Sequence, residues 1–200
     1  MRATLLAVAL GAVVLAGFGG AGGTSKDGRW ARAIVIRKAD LPTFRGEPPL
    51  STRTCLPAHL NGQTAFARSQ HFSNGARSVT ARAWIFPEEQ HARGGFRSLV
   101  ARDYARCLKQ EGVVGARILV TKQETISGIT HGDRFRALRV TVRVSQSGAR
   151  FTVYVEIFFV RNGRAVADAA FTSSDHPFGI AAETATVGRM AGRMNHPPKS

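Results

Sequence analysis

The chain has 200 residues and a formal net charge of +15, with 28 lysine and arginine residues against 13 aspartate and glutamate residues. This length is typical of one domain and supports a core that needs no metal or dense disulfide framework. No basic cluster interleaved with aromatic residues is present, which argues against dedicated nucleic-acid binding. Arginine abundance fits either a GC-rich composition or weak attraction to an anionic wall polymer or membrane surface.

The beginning of the chain has the three parts of a secretory signal. Arg2 supplies a positive charge, residues 5–16 form an apolar run, and small residues follow at 17–23. We expect cleavage after Ala21 and an extracytoplasmic location. The alternative is an uncleaved membrane anchor, because residues 3–23 are just long enough to span a bilayer. The expected segments are a signal peptide at 1–21, a linker at 22–28, one domain at 29–195 and a loose tail at 196–200.

The chain has two cysteines, Cys55 and Cys107. An even number of cysteines in an exported protein predicts a disulfide, and the alternative is two buried free thiols. Closing this loop would stabilise the fold by about 4 kcal/mol in the chain-entropy model. The bridge would tie the proline-rich loop at 42–57 to the end of a helix. We predict no metal site at this pair of cysteines.

The first half of the chain predicts a helix, a hairpin and a second helix. Residues 29–39 fit a short helix that ends before Pro42, since the residue before proline avoids the helical conformation. Strands at 64–72 and 77–87 flank Asn74-Gly75, a strong hairpin signal. Residues 88–110 carry apolar side chains at helical spacing and predict one long helix.

The second half predicts four strands and a final helix. The strands are expected at 114–126, 133–146, 150–161 and 164–173, and the helix at 178–194. The apolar pattern of the second of these strands changes phase, which predicts a bulge near Ala137. The order α–β–β–α–β–β–β–β–α predicts an α+β fold with an antiparallel sheet of about six strands and helices packed on it.

No catalytic motif is present, and we predict no catalytic residue, metal or cofactor. The histidines are His59, His71, His91, His131, His176 and His196. Only His131 with Asp133, and His176 with Asp175, form local histidine–acid pairs. Both pairs lie at expected turns, where polar residues are ordinary.

The last strands carry several charged residues. Glu156 and Asp168 could approach each other as a carboxylate pair, although a turn centred on 162–163 puts them only near register. An ion pair with Arg139, Arg143 or Arg164 is the commoner arrangement for such residues in a sheet.

Short patches resemble secreted actinobacterial proteins of a sensor-like type. These patches are residues 36–42 (IRKADLP), Cys55, the hairpin end at 85–86, and the helix segment at 106–108. They are similar to the extracytoplasmic sensor domains of bacterial Ser/Thr kinases and to related envelope lipoproteins. Those kinase domains carry two disulfides, whereas this chain can form one. The resemblance implies a non-enzymatic envelope domain that binds a ligand or partner, without assigning any contact residue.

We therefore predict an exported envelope protein that binds an unknown small molecule or envelope protein in a groove on its sheet. The expected ligand-binding residues are Arg139, Arg143, Tyr154 and Glu156, the polar set on the less apolar faces of adjacent strands. Two alternatives stay open. One is a secreted hydrolase whose site leaves no local motif, and the other is a basic protein that adheres to anionic wall polymers.

Overall fold

A computed structural model of the chain describes residues 25–48, 55, 57–111, 116–174 and 176–199. The expected leader and its cleavage site after Ala21 lie outside these residues, as does Asp175. No helix in the described ranges is long and apolar enough to cross a bilayer.

The described residues form an antiparallel sheet and four α-helices, which confirms the α+β prediction. The strands are β1 (Arg45–Glu47), β2 (Ala65–Arg68), β3 (His71–Asn74), β4 (Arg77–Ile85), β5 (Ala116–Thr125), β6 (Arg134–Gln146), β7 (Ala149–Asn162) and β8 (Ala165–Ser174). The helices are α1 (Lys26–Ile34), α2 (Glu89–Val100), α3 (Tyr104–Glu111) and α4 (Ile180–Met194). The sheet order is β1-β3-β4-β8-β7-β6-β5, and β2 also pairs with β4.

The sheet has eight strands in the described residues, where about six were predicted. The predicted strand at 64–72 is divided into β2 and β3 at Ser69. The amide of Ser69 donates to the carbonyl of Ala81, and the Ser69 hydroxyl accepts from the Ala81 amide, both at 2.9 Å. The other added strand is β1, which lies in the predicted loop and pairs with β3.

The predicted helix at 88–110 is two helices, α2 and α3, because the chain turns at residues 101–103. Asp103 caps the second helix, since its Oδ1 accepts from the amide of Arg106 at 2.9 Å. The Tyr104 hydroxyl donates to the carbonyl of Leu99 at 2.7 Å and fixes the angle between the two helices. Helix α1 begins earlier than predicted, at a cap formed by Ser25.

The bulge predicted near Ala137 is wrong. Strand β6 pairs with β7 without interruption from Arg134 to Gln146. The irregularity lies instead in β5 at Thr121, between the pairs Val120–Val142 and Lys122–Thr141. The phase change in β6 arises because both sides of this strand are buried near its beginning: Ala137 belongs to one apolar layer and Leu138 to the other.

Two apolar layers sandwich the sheet. Helix α1 packs on β2 and β4, and α4 packs on β7 and β8; we call this side the α1/α4 face. Helix α2 packs on β7 and β8, and α3 packs on β5, which defines the α2/α3 face. The predicted disulfide is formed on the second face, where Cys55 and Cys107 have Cα atoms 5.6 Å apart. It joins the proline-rich loop to α3, as predicted.

Candidate binding surface

The four predicted ligand-binding residues lie on one side of the sheet. Arg139 is paired directly with Glu156 across β6 and β7. On the same face, Tyr154 lies two residues before Glu156 and Arg143 lies four residues after Arg139. Directly opposed residues of adjacent strands point to the same side, and residues two apart share a side. All four therefore face the α1/α4 side. Whether they contact a ligand stays a prediction.

Arg139 and Glu156 form an internal ion pair. Glu156 is fully buried, whereas 23% of the Arg139 side chain is exposed. Arg139 Nε donates to Glu156 Oε1 at 2.6 Å, and Arg139 Nη2 contacts the same oxygen. The amide of Phe178 donates to Glu156 Oε2 at 3.1 Å. This carboxylate thus ties the segment before α4 to the middle of the sheet.

Glu183 of α4 lies beside this ion pair and is also fully buried. Burial, followed by the hydrogen bond and negative charge of Glu156, raises the pKa of Glu183 well above its ordinary value, against the opposing attraction of Arg139. A neutral Glu183 avoids placing a second buried negative charge beside Glu156. Sequence reasoning missed Glu183. The available signal was its position four residues before Val187, on the buried stripe of the helix.

The carboxylate pair considered for Glu156 and Asp168 is wrong, and the ion pair with Arg139 is the arrangement present. Residues 163–164 form the turn between β7 and β8, so Asp168 lies opposite Phe159 and Glu156 lies opposite Phe171. Asp168 consequently faces the α2/α3 side, away from Glu156.

Asp168 belongs to a second buried polar group, with Arg82 opposite it on β4. Burial raises the pKa of Asp168 to about 6, against the attraction of Arg82. Both carboxylate oxygens of Asp168 and Nη1 of Arg82 lack a hydrogen-bond partner among the described residues. Both residues are nearly inaccessible to solvent, so this group belongs to the interior.

Beyond the row of Arg139 and Glu156, the α1/α4 face is uncovered. Arg143 is exposed and Tyr154 is half-buried, whereas Val142 and Val144, on the opposite side of the same strand β6, are buried under the α2/α3 layer. We call this uncovered area the open sheet surface. Its residues are Arg117, Leu119, Lys122, Thr141, Arg143, Ser145, Arg150, Thr152 and Tyr154.

The local histidine–acid pair noted at 131 and 133 has different contacts for its two members in the structure. His131 packs edge-on against the Phe135 ring, with centroids 5.6 Å apart, and Asp133 accepts from the amide of Gly163 at 2.8 Å. Within the described part of the chain, no three histidine, cysteine, aspartate or glutamate residues are placed to hold a metal ion.

Among known proteins, similarity to this chain is found at the level of the fold. No family model and no curated protein matches the sequence. The fold is similar to that of the extracellular domain of PknH from Mycobacterium tuberculosis, with a TM-score of 0.45 and 12% sequence identity, over 84% of this chain and 95% of that chain.

Proposed function

We propose that the protein is a non-enzymatic binding domain of the cell envelope, and that the open sheet surface is where it binds a ligand or partner. The observation that supports this proposal is that the two sides of strands β5 to β7 are covered to different extents. Their α2/α3 side is apolar and packed, whereas Arg143 and Tyr154 stand uncovered on the other side. Arginine and tyrosine are the side chains most often found at the energetic centre of interfaces.

The buried ion pair has a positioning role in this proposal. Glu156 uses both carboxylate oxygens internally, one for Arg139 and one for the Phe178 amide. It fixes the beginning of α4 at the border of the open sheet surface. The surface and the adjoining helix α4 then form one rigid unit. Arg143 and Tyr154 then remain as the predicted residues that a ligand can reach.

An extracytoplasmic location is part of the proposal. The leader at residues 1–21 has the composition of an export signal, and the Cys55–Cys107 bridge is of the kind that persists in oxidising compartments.

The hydrolase alternative finds no support on this surface. Thr141, Ser145 and Thr152 provide aliphatic hydroxyl groups there, but strands β5, β6 and β7 contain no histidine that could serve as a base. A serine-reactive probe that labelled the protein at one residue would overturn the non-enzymatic proposal.

The binding proposal is tested by NMR with the ¹⁵N-labelled domain and separated envelope fractions: polysaccharide, lipid and peptide. We expect one fraction to shift amide signals of β5, β6 and β7 around Arg143 and Tyr154. The double variant Arg143→Ala/Tyr154→Ala should abolish these shifts, and the control Ser98→Ala, at an exposed position of α2, should keep them. Shifts confined to α2 and α3, or no shift with any fraction, would contradict the proposal.

A further inference from the structure

We propose that the open sheet surface binds a phosphate-bearing polyanion through Arg117, Arg143 and Arg150. This inference rests on the proposed function and names the chemistry of the ligand. It assigns a contact role to Arg117 and Arg150, which the sequence patterns did not single out.

The three arginines occupy two neighbouring rows of the sheet. Arg117, Ser145 and Arg150 form one row across β5, β6 and β7, because Arg117 pairs with Ser145 and Ser145 pairs with Arg150. Arg143 lies in the next row, between Leu119 and Thr152. From ordinary sheet spacings, the Cα atoms of Arg117 and Arg150 are about 10 Å apart, and Arg143 is about 8 Å from each.

These arginines form a positive group without a counter-charge. All three are exposed, and no carboxylate stands in either row on the three strands. No hydrogen bond or ion pair of their side chains is present within the described ranges. Other arginines of this protein form ion pairs with aspartate or glutamate side chains.

The pairs that show this contrast are Arg93 with Glu89, Arg164 with Asp27, and Arg193 with Asp40. Three like charges held at short range on a rigid sheet repel one another, and a bound anion would relieve that repulsion.

The chemistry of the group favours phosphate. A guanidinium presents a planar fork of donors that matches two phosphate oxygens, and the Ser145 and Thr152 hydroxyls between the arginines can donate to the same ligand. The span of about 10 Å exceeds one phosphate group. An extended chain with several phosphates could therefore contact all three arginines at once.

A polymer fits this surface better than a membrane does. Proteins that bind at the lipid interface bury aromatic and aliphatic side chains in it. On the open sheet surface Leu119 is the exposed large aliphatic residue, at 50% exposure, and Tyr154 is half-buried in the sheet. The surface therefore offers charge along straight rows, with little apolar area for insertion.

The test measures binding of fluorescent long-chain inorganic polyphosphate by anisotropy. The triple variant Arg117→Ala/Arg143→Ala/Arg150→Ala should weaken binding at least tenfold. The matched control Arg97→Ala/Arg102→Ala/Arg106→Ala removes the same charge from exposed positions on and between α2 and α3, and it should change affinity less than twofold. The slope of log affinity against log salt should fall by about 2 in the first variant, as for loss of three phosphate contacts. Circular dichroism verifies that both variants are folded.

Four results would overturn the inference. Equal weakening in both triple variants would show that overall charge drives binding. Binding of phosphatidylglycerol vesicles, but not of polyphosphate, would assign the surface to a membrane. If single phosphate ions saturated the surface with the same affinity as polyphosphate, the ligand would not need to be a polymer. If polyphosphate does not bind while a neutral envelope fraction still shifts the Arg143 and Tyr154 signals, the anion chemistry fails and the proposed function stands.

Discussion

Arg139 and Glu156 face each other across β6 and β7, and their ion pair holds the beginning of α4 against the sheet. The contact joins a strand, its neighbour and a distant helix, since the second oxygen of Glu156 accepts from the amide of Phe178. The Phe178 ring then packs on Phe171, with centroids 5.0 Å apart. The polar contact and the apolar contact thus hold the same segment.

Replacing Glu156 with alanine should destabilise the fold. The change leaves the Phe178 amide without its acceptor and the mostly buried Arg139 with only its 3.4 Å contact to Glu124 among the described residues. We expect the free energy of unfolding to fall by about 2–3 kcal/mol. Urea denaturation measures it. The control Arg143→Ala removes an exposed arginine and should change stability by no more than about 0.5 kcal/mol. A loss in Glu156→Ala as small as in the control would contradict the role of this ion pair.

Stability should fall as the pH rises, because of Glu183. Its pKa is raised in the fold from an ordinary value of 4.5, so the folded protein retains a proton that the unfolded chain releases. This contribution is fully present below about pH 4.5 and is lost as the pH approaches the raised pKa, with a slope of up to about 1.4 kcal/mol per pH unit. Asp168, whose pKa is raised to about 6, adds to the loss between about pH 4 and 6.

The variant Glu183→Gln separates these two contributions. An amide imitates the neutral carboxyl group and cannot ionise, so the pH dependence above pH 6 should flatten. Urea denaturation at pH 5 to 9 provides the measurement, and curves that stay parallel to the parent's would rule out the neutral form of Glu183.

Two adjacent glycines of α2 should respond oppositely to alanine. A Cβ atom at Gly95 would lie 2.5 Å from Cζ of the buried Phe86 ring, whereas a Cβ at Gly94 meets nothing within 4 Å. Gly95→Ala should therefore lower stability by about 1–3 kcal/mol. Gly94→Ala should raise it by up to about 1 kcal/mol, because alanine favours the helix. Thermal or urea unfolding of both variants decides this, and equal effects would show that α2 does not pack closely on Phe86.

Removal of the disulfide should cost about 4 kcal/mol. The bridge closes a separation of 52 residues and anchors a loop whose carbonyl at Ala58 accepts from Trp84 Nε1 at 3.3 Å. The variant Cys55→Ala/Cys107→Ala should show this loss in urea denaturation and should be insensitive to reductant. Parent protein treated with dithiothreitol should match the variant; a parent unaffected by reductant would contradict the prediction.

Short-range signals predicted the hairpins. Gly75 has a positive φ of 60°, and the turn between β6 and β7 has Ser147 at 50° and Gly148 at 81°. Turns of this kind match the twist of adjacent strands and are marked by such residues. The β7–β8 turn was predicted one residue too early. That error shifts the register by two residues, and because the side-chain period of a strand is also two, Asp168 lies on the side away from Glu156 with either turn.

Contacts between residues far apart in the chain determined the features that local sequence patterns did not predict. The break between α2 and α3 follows from packing of Tyr104 against Phe159, whose ring centroids are 5.5 Å apart. For the candidate site, alternation along β6 and β7 placed four polar residues on one face correctly. Which of them became internal depended on where α4 lies, and no pattern within the strands records that Glu156 is covered and Arg143 is not.

The bulge at Thr121 has a consequence for how molecules of this protein meet one another. Strand β5 lies at the end of the sheet in the described residues, opposite the end formed by β1. A long, regular edge strand is a template on which another chain can add its own strand and begin aggregation. The extra residue at Thr121 interrupts that template near its middle, and the exposed charges of Arg117 and Lys122 flank it. Two molecules of the protein therefore cannot pair continuously along their β5 edges. Such pairing leads to aggregation in proteins that fold at high local concentration.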